Sequence, residues 1–321
     1  MPLLELRESG LYCAHGGFYV DPWAPVDRAV ITHAHPEHAI PGCQAYLTAT
    51  AGEELLRERV GPDAVIQTAG YGESLTLGEV QVSLHPAGHI LGSAQVQVEH
   101  RGEVWVVSGD YKLEPDPTCA PFEPLRCHTF LTEATFGLPI FRWPSNPIDS
   151  IHDWWRANQQ VGKASLLFAH ELGMSQRVLA SIDSSIGPIH AHPEIDRFNQ
   201  IYRQRGIALA PTATTADLPR ALILAPPSSH GSPWAKSLGA ASTALASGWM
   251  RIRGTRRRRS LDRGFVLSDH ADWPALLRAI EETGAETVLA THGHRVPLAR
   301  WVWEHGRRAG ALETRFDEAQ T

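Results

Sequence analysis

Residues 32–39 read Thr-His-Ala-His-Pro-Glu-His-Ala, and they follow a short apolar run, residues 29–32, with the character of a buried strand. Side chains that alternate along an extended chain point to the same side. His33 and His35 can therefore face one cation together as the chain leaves the strand. Where the chain then turns, Glu37 and His38 can face a second cation beside the first. Imidazole and carboxylate suit Zn²⁺ or Mn²⁺, and imidazole also suits iron. A surface loop rich in histidine by chance gives no reason for this spacing directly behind an apolar strand.

Outward from this stretch the same shape recurs. Apolar strands run into Asp or His at residues 108–110, 268–272 and 291–292, and His89 sits in the glycine-flanked segment PAGHILGSA. In layered α/β structures ligands gather at one end of the strands, so these distant segments can converge on one site. Taken singly, His89, Asp110 and His292 read more readily as loop or capping residues, and His294 competes with His292 for the same role. Together they have a physical logic. A carboxylate shared by two divalent ions offsets part of their repulsion. Two ions about 3.5–4 Å apart can activate a water and clamp the oxygens of a phosphate. Asp110 is the candidate bridge.

The wider chain has 321 residues, 43% hydrophobic and 20% charged, which is room for a substantial core in one large or two ordinary domains. The first 140 residues show short strands between glycine turns, at 75–77, 80–84, 94–98, 104–107 and 128–131, a hairpin turning at Gly16 and Gly17, and a helix at 50–60. The Pro- and aromatic-rich segment 138–147, LPIFRWPSNP, reads as a crossover. Beyond it, helices at 148–160, 174–182 and 193–205 alternate with strands at 164–168, 189–190 and 221–225, the pattern of a parallel α/β unit. The last third returns to the first style, with strands at 265–268 and 287–290. It also carries a helix at 273–283 with Pro274 in its first turn, and a final helix at 297–308.

A net charge of −6 argues against a protein that coats nucleic acid over its whole surface. One local exception stands out. Arg251, Arg253, Arg256, Arg257, Arg258, Arg259 and Arg263 fall within thirteen residues. Such a run is either a solvated loop or a positive funnel for a phosphate backbone, with Trp234 and Trp249 as stacking candidates. The four cysteines form no CxxC pair, so neither a disulfide framework nor a zinc finger is expected. No apolar run approaches the ~18–20 residues of a membrane span. The start MPLLELRESG lacks the basic and apolar regions of a signal peptide. The expectation is a cytoplasmic protein with reduced thiols and no membrane association.

Several blocks carry a family resemblance. THAHPEHA resembles the HxHxDH metal motif of the metallo-β-lactamase fold. AGHILGSA, SGDYK and TEATFG, in that order, resemble the following motifs of its β-CASP nuclease branch, and FVLSDHAD and LATHG resemble that branch's two late histidine motifs. VSGDYKLEPDPTCAPFEP, TFGLPIFRWP, SGWMRIRGTRRRR and DRGFVLSDHADWP are similar to blocks of the bacterial DNA ligase-associated exonucleases. The resemblance covers nearly the whole chain. It implies an α/β fold: an αββα sandwich made of residues 1–140 and 263–321, with a small α/β β-CASP domain, residues 141–262, inserted in it.

The resemblance also implies two divalent metal ions, zinc or manganese. His33, His35 and His89 would bind one, and Glu37, His38 and His292 the other, with Asp110 shared. Asp21, in YVDPW, would support the ligand loop. His270 would face the scissile phosphate and help the leaving oxygen depart, oriented by Glu133. The implied substrate is DNA, cleaved from an end in ligase-linked repair. Arg251, Arg253, Arg256, Arg257, Arg258 and Arg259 would contact it, and a DNA ligase and a helicase would be associated partners. Three alternatives stay open. One is an RNA-processing β-CASP nuclease, since His292 fills a position associated with RNA enzymes. Another is a one-metal DNA-binding repair subunit. The third, a small-molecule hydrolase, fits the arginine run poorly. Two departures from the family pattern bear on the choice: Glu37 replaces the usual Asp, and Pro36, which restricts its neighbours, replaces a small residue.

Overall fold

The computed structural model describes residues 2–213 and 218–314. In chain order it opens with β1 (Glu5–Arg7), β2 (Gly10–Cys13), β3 (Phe18–Val20), β4 (Arg28–Val30) and β5 (Ala45–Ala49). Helix α1 (Glu53–Val60) and β6 (Ile66–Ala69) follow, then β7 (Ser74–Leu77), β8 (Val80–Pro86), β9 (Ala94–His100), β10 (Glu103–Val107) and β11 (Thr129–Glu133). The middle third runs α2 (Pro147–Gln160), β12 (Ala164–Phe168), α3 (Met174–Ser181), β13 (Ile189–Ala191), α4 (Pro193–Gln204), β14 (Leu222–Ala225), α5 (Pro233–Ser237), β15 (Ala241–Ala246), α6 (Thr255–Arg258) and β16 (Arg263–Phe265). The chain closes with α7 (Trp273–Thr283), β17 (Thr287–Thr291), α8 (Arg295–Glu304) and β18 (Arg308–Ala311).

One compact unit ends at Ile140 and resumes at His270; the other is Phe141–Asp269. The first holds two sheets, of order β1-β2-β3-β4-β5-β6 and β18-β17-β11-β10-β9-β8-β7. Period-2 alternation decides which side chains lie between them. Trp105 and Leu131 join Phe18, Val30, Leu47, Val82 and Val96 between the sheets. Their neighbours Val106 and Phe130 face outward, against Leu276 and Ile280 of α7 and Leu298 and Val302 of α8. On the far side Leu56 of α1 covers Ala29 and Tyr46. Four layers result, helix, sheet, sheet, helix, because each sheet has one face for its partner sheet and one for a helix.

The second unit is a five-stranded sheet, β13-β14-β12-β15-β16, parallel at every pairing. Trp155, Val178 and Ile195 of α2, α3 and α4 pack on one face with Leu167 and Leu224. Leu166, Phe168 and Ile223 face the other way, toward Leu261 and Trp234. Strands covered on both sides must be apolar throughout, which is why residues 164–168 are all buried.

Several elements differ from the sequence expectations. The strand expected at 265–268 is Arg263–Phe265. It pairs with β15, so the second unit runs on to Asp269 instead of ending at 262. The last helix starts two residues before Pro297, which a first turn tolerates, and stops at Glu304. Gly306, at φ +86°, then turns the chain into β18. The strands β1, β5, β6 and β15 carry no turn signal or alternation strong enough to announce them. All four cysteines are free thiols. No described helix is long and apolar enough to cross a membrane.

Candidate metal centre

The first unit brings the loop after β4, the turn between β8 and β9, and the ends of β10, β11 and β17 to one place. His35 begins a tight turn: its carbonyl accepts from the backbone N–H of His38 (3.0 Å) and of Ala39 (2.9 Å). Pro36 takes the second position of that turn, where its fixed φ is favoured. Proline therefore shapes the loop exit, and it leaves Glu37 partly exposed at the apex.

Asp21 anchors the loop. Its Oδ1 accepts from the Thr32 backbone N–H (2.8 Å), and its Oδ2 accepts from the Thr32 hydroxyl (2.6 Å) and from His38 Nδ1 (2.8 Å). These bonds hold Asp21 itself at φ +43°. They also set proton positions. The single hydroxyl proton of Thr32 goes to Asp21, so His33 Nδ1, 3.0 Å from that oxygen, must be the donor there. His33 and His38 thus both donate from Nδ1 and turn Nε2 inward. Thr32 was not singled out by the sequence; its only signal is its place between the strand and the first histidine.

The inward nitrogens converge on Asp110. Its Oδ2 lies 3.4 Å from His33 Nε2, 3.6 Å from His38 Nε2 and 3.8 Å from His89 Nε2. His35 Nδ1 is 3.1 Å from both His33 Nε2 and His89 Nε2. Asp110 reaches this point through Gly109, at φ +56°, where any Cβ would stand 2.6 Å from the Thr32 side chain. A third group meets Asp110 as well. His270 Nε2 is 3.9 Å from Oδ2, while its Nδ1 lies 2.9 Å from Glu133 Oε2 and 3.0 Å from Oε1. Glu133, buried at the end of β11, also accepts from the Tyr111 backbone N–H (2.9 Å).

Three sets of ligand atoms share Asp110, the atoms of each within 4.8 Å of one another: His33, His35, His89 and Asp110; Glu37, His38 and Asp110; and Asp110, Glu133 and His270. The first set fits a divalent cation on its donor chemistry. Bonds of ~2.0–2.1 Å in a tetrahedron put neighbouring ligands ~3.3 Å apart, close to the spacings seen. His292 is outside the tight second set. It adopts φ +58°, and its ring flanks that of His38 with centroids 5.4 Å apart. Asp21, Glu37, His38 and His292 border a cavity of about 60 Å³, room for a few waters and no more.

The electrostatics point the same way. Burial, then the neighbouring His38 charge, pushes His33 well below the usual histidine range. For His38 burial acts downward, but Asp110 and Asp21 outweigh it and raise the ring to about 9. Burial would raise Asp110, yet His38, His270 and His33 hold it well below the carboxylate range. Glu37 is likewise lowered, with His35 and His38 overcoming its desolvation. A buried carboxylate kept ionised among imidazoles is a site that asks for positive charge.

In the second unit, Arg251, Arg253, Arg256, Arg257, Arg258 and Arg259 are all exposed, around and within α6. Arg256 donates to the Asp262 carbonyl and Arg258 to the Thr255 hydroxyl (3.2 Å). Trp234 packs edge-on against His192 and Trp249 against Phe141, both half-buried, which favours packing over stacking for these two.

No protein-family model matches the chain. It is 30% identical over 310 residues, 94% of its length, to a "Probable DNA ligase" of Opitutus terrae, of which that stretch is 30%. It is 32% identical over 154 residues to a ribonuclease of Thermus thermophilus, covering 38% of this chain and 35% of that one. An endoribonuclease of Yarrowia lipolytica is 27% identical over 143 residues, 43% of this chain and 16% of the enzyme. The chain thus spans about a third or less of the length of these curated relatives. The fold is the metallo-β-lactamase sandwich with a β-CASP-type insertion. Within it, the buried His and Asp side chains at the strand ends suit a divalent metal site of the kind this fold carries.

Proposed function

We propose that the chain is a metal-dependent phosphodiesterase that cleaves DNA from an end. The observation that carries this reading is Asp110 Oδ2, which meets inward-facing Nε2 atoms of His33, His38, His89 and His270 within 3.9 Å. His33, His35, His89 and Asp110 would hold one ion, zinc or manganese. Glu37, His38 and Asp110, flanked by His292, would hold a second. Bound there, divalent ions supply Lewis acidity toward the phosphate oxygens and the attacking water.

The protein's own groups do the rest. Asp21 and Thr32 keep His33 and His38 in one tautomer, so the ligand set is ready before substrate arrives. Glu133 accepts from Nδ1 of His270 and so fixes the ring with Nε2 turned toward Asp110. His270 would then deliver the Nε2 proton to the leaving oxygen as its bond to phosphorus breaks, while the attacking water bonds to phosphorus and gives up a proton to solvent. The exposed arginines would bind the phosphate backbone with a strong dependence on salt. Similarity to part of a DNA ligase chain supports DNA and a role beside ligation; a helicase partner rests on the family resemblance alone.

A second reading, RNA cleavage, is favoured by the ribonuclease relatives. End-labelled DNA and RNA, single- and double-stranded, incubated with Zn²⁺, Mn²⁺ or Mg²⁺, separate the two. Shortening of DNA from one end supports the first reading. Cleavage of RNA alone replaces it with the second, and metal and DNA binding without turnover leaves a repair subunit.

A further inference from the structure

At the opposite end of the strands from the centre just described, three side chains from three turns meet. His15 lies in the turn between β2 and β3, Glu79 in the turn between β7 and β8, and His100 ends β9. Glu79 Oε2 is 3.3 Å from His15 Nδ1 and 3.7 Å from His100 Nε2. The two imidazole rings lie 4.2 Å apart, tilted by 49°. One nitrogen of each ring and one carboxylate oxygen all fall within 4.8 Å of one another.

We propose that His15, Glu79 and His100 form a third divalent-metal site, for Zn²⁺ or a cation of similar preference, independent of the phosphodiesterase reading. The ligand types are two imidazoles and a carboxylate, a set zinc accepts with a fourth position left for water. Their separations approach the ~3.3 Å edge expected of tetrahedral ligands at zinc bond lengths. A plain ion pair would need only one imidazole. Two rings turned on the same oxygen would repel if both were protonated, whereas one cation satisfies both nitrogens and the carboxylate.

The backbone supports the arrangement. The His15 carbonyl accepts from the Glu79 N–H (2.9 Å), and the Gly17 N–H closes the His15 turn onto Cys13 (2.9 Å). Gly78 has φ +59°, and a Cβ there would meet the His15 carbonyl at 2.4 Å, so only glycine lets the two turns approach this closely. The His100 side chain is 12% exposed and that of Glu79 65%. The His15 side chain is 37% exposed, so the His100 imidazole is the one largely placed, while His15 and the carboxylate close from the solvent side. His15 lies in a turn between strands of one sheet; Glu79, in a turn, and His100, at a strand end, belong to the side of the other. An ion here clips the two sheets of the sandwich together at the end away from Asp110. Its role is structural.

The test uses the untagged full chain and compares it with His15→Ala/His100→Ala and with Glu79→Gln. Metal content per chain after Zn²⁺ loading and dialysis should fall by one ion in the double variant, with cleavage of nucleic acid unchanged. Added Zn²⁺ should raise the Tm of the parent by roughly 2–4 °C more than that of the double variant. To remove overlap with the Asp110 centre, the comparison is repeated on His33→Ala/His35→Ala, read by Co²⁺ absorption. A tetrahedral Co²⁺ signal that persists there and vanishes with His15→Ala/His100→Ala supports the site. Equal ion counts and equal Zn²⁺ responses overturn it and leave a histidine–glutamate ion pair. Should the double variant fail to fold, Glu79→Gln, a change at an exposed side chain, decides by the same two readouts.

Discussion

The two sides of Asp110 are built in different ways. On one side His33 and His89 are fully buried, His35 is half-buried, and each ring is placed by a strand exit or a tight turn. On the other, only His38 is locked, through Asp21. Glu37 stands partly exposed at a turn apex, and His292 flanks His38 from a left-handed backbone position. Rings fixed by packing lose little freedom on binding an ion. A carboxylate with free torsions loses more. The first side should therefore hold its ion more tightly than the second, although both lean on the same carboxylate.

The largest expected effect comes from the tight side. His35→Ala should cut cleavage by about 10³-fold or more and remove an ion, since it deletes a direct ligand. Full activity with unchanged metal content would break the assignment. Next, His270→Ala should slow turnover by ~10²–10⁴-fold with both ions retained in metal analysis. Loss of metal there would make His270 a ligand. Asp21→Asn should weaken metal binding by ~10–100-fold, more on the Glu37–His38 side, because Asp21 touches His38 directly and His33 only through Thr32. Equal losses in a two-site titration would erase the distinction between the sides.

The smallest effect is a pH dependence of the metal-free protein. His38 sits at about 9 in the folded chain, against an ordinary histidine value of about 6.5. Its charged form therefore stabilises the metal-free fold fully below about pH 6.5, and that contribution fades as pH rises through about 9. An ion on the second side displaces this proton, so its apparent affinity should climb over the same window. Thermal unfolding and metal titration of chelator-treated protein across that range check both signs. A flat profile would mean that Asp110 and Asp21 do not charge His38.

Much of this was legible beforehand, and the failures have physical causes. The spacing of His33, His35 and His38 behind an apolar strand pointed to the centre, because alternation along a strand is a local property. By sequence, Pro36 shows only that its neighbours are restricted. In the structure it is the second residue of a turn, a role that depends on the hydrogen bonds made by His35. The short strands β1 and β15 escaped notice because their regularity lies in the neighbours they pair with. For Trp234 and Trp249 the sequence could not show that His192 and Phe141 lie edge-on against them. Nothing local says that Arg263–Phe265 completes the sheet of β15.

The amino-acid sequence by itself determined the ligand types, their order along the chain, and the alternation that sends Trp105 to one face of its sheet and Val106 to the other. These are local, set by side-chain chemistry and a backbone period of two. Tertiary structure alone decided the distances at which Asp110 meets the imidazoles. It also decided that Thr32 and Asp21 choose the tautomers of His33 and His38, and that His15, Glu79 and His100 meet at all. Those outcomes depend on distances between groups far apart in the chain, and only the packing of the two sheets sets them.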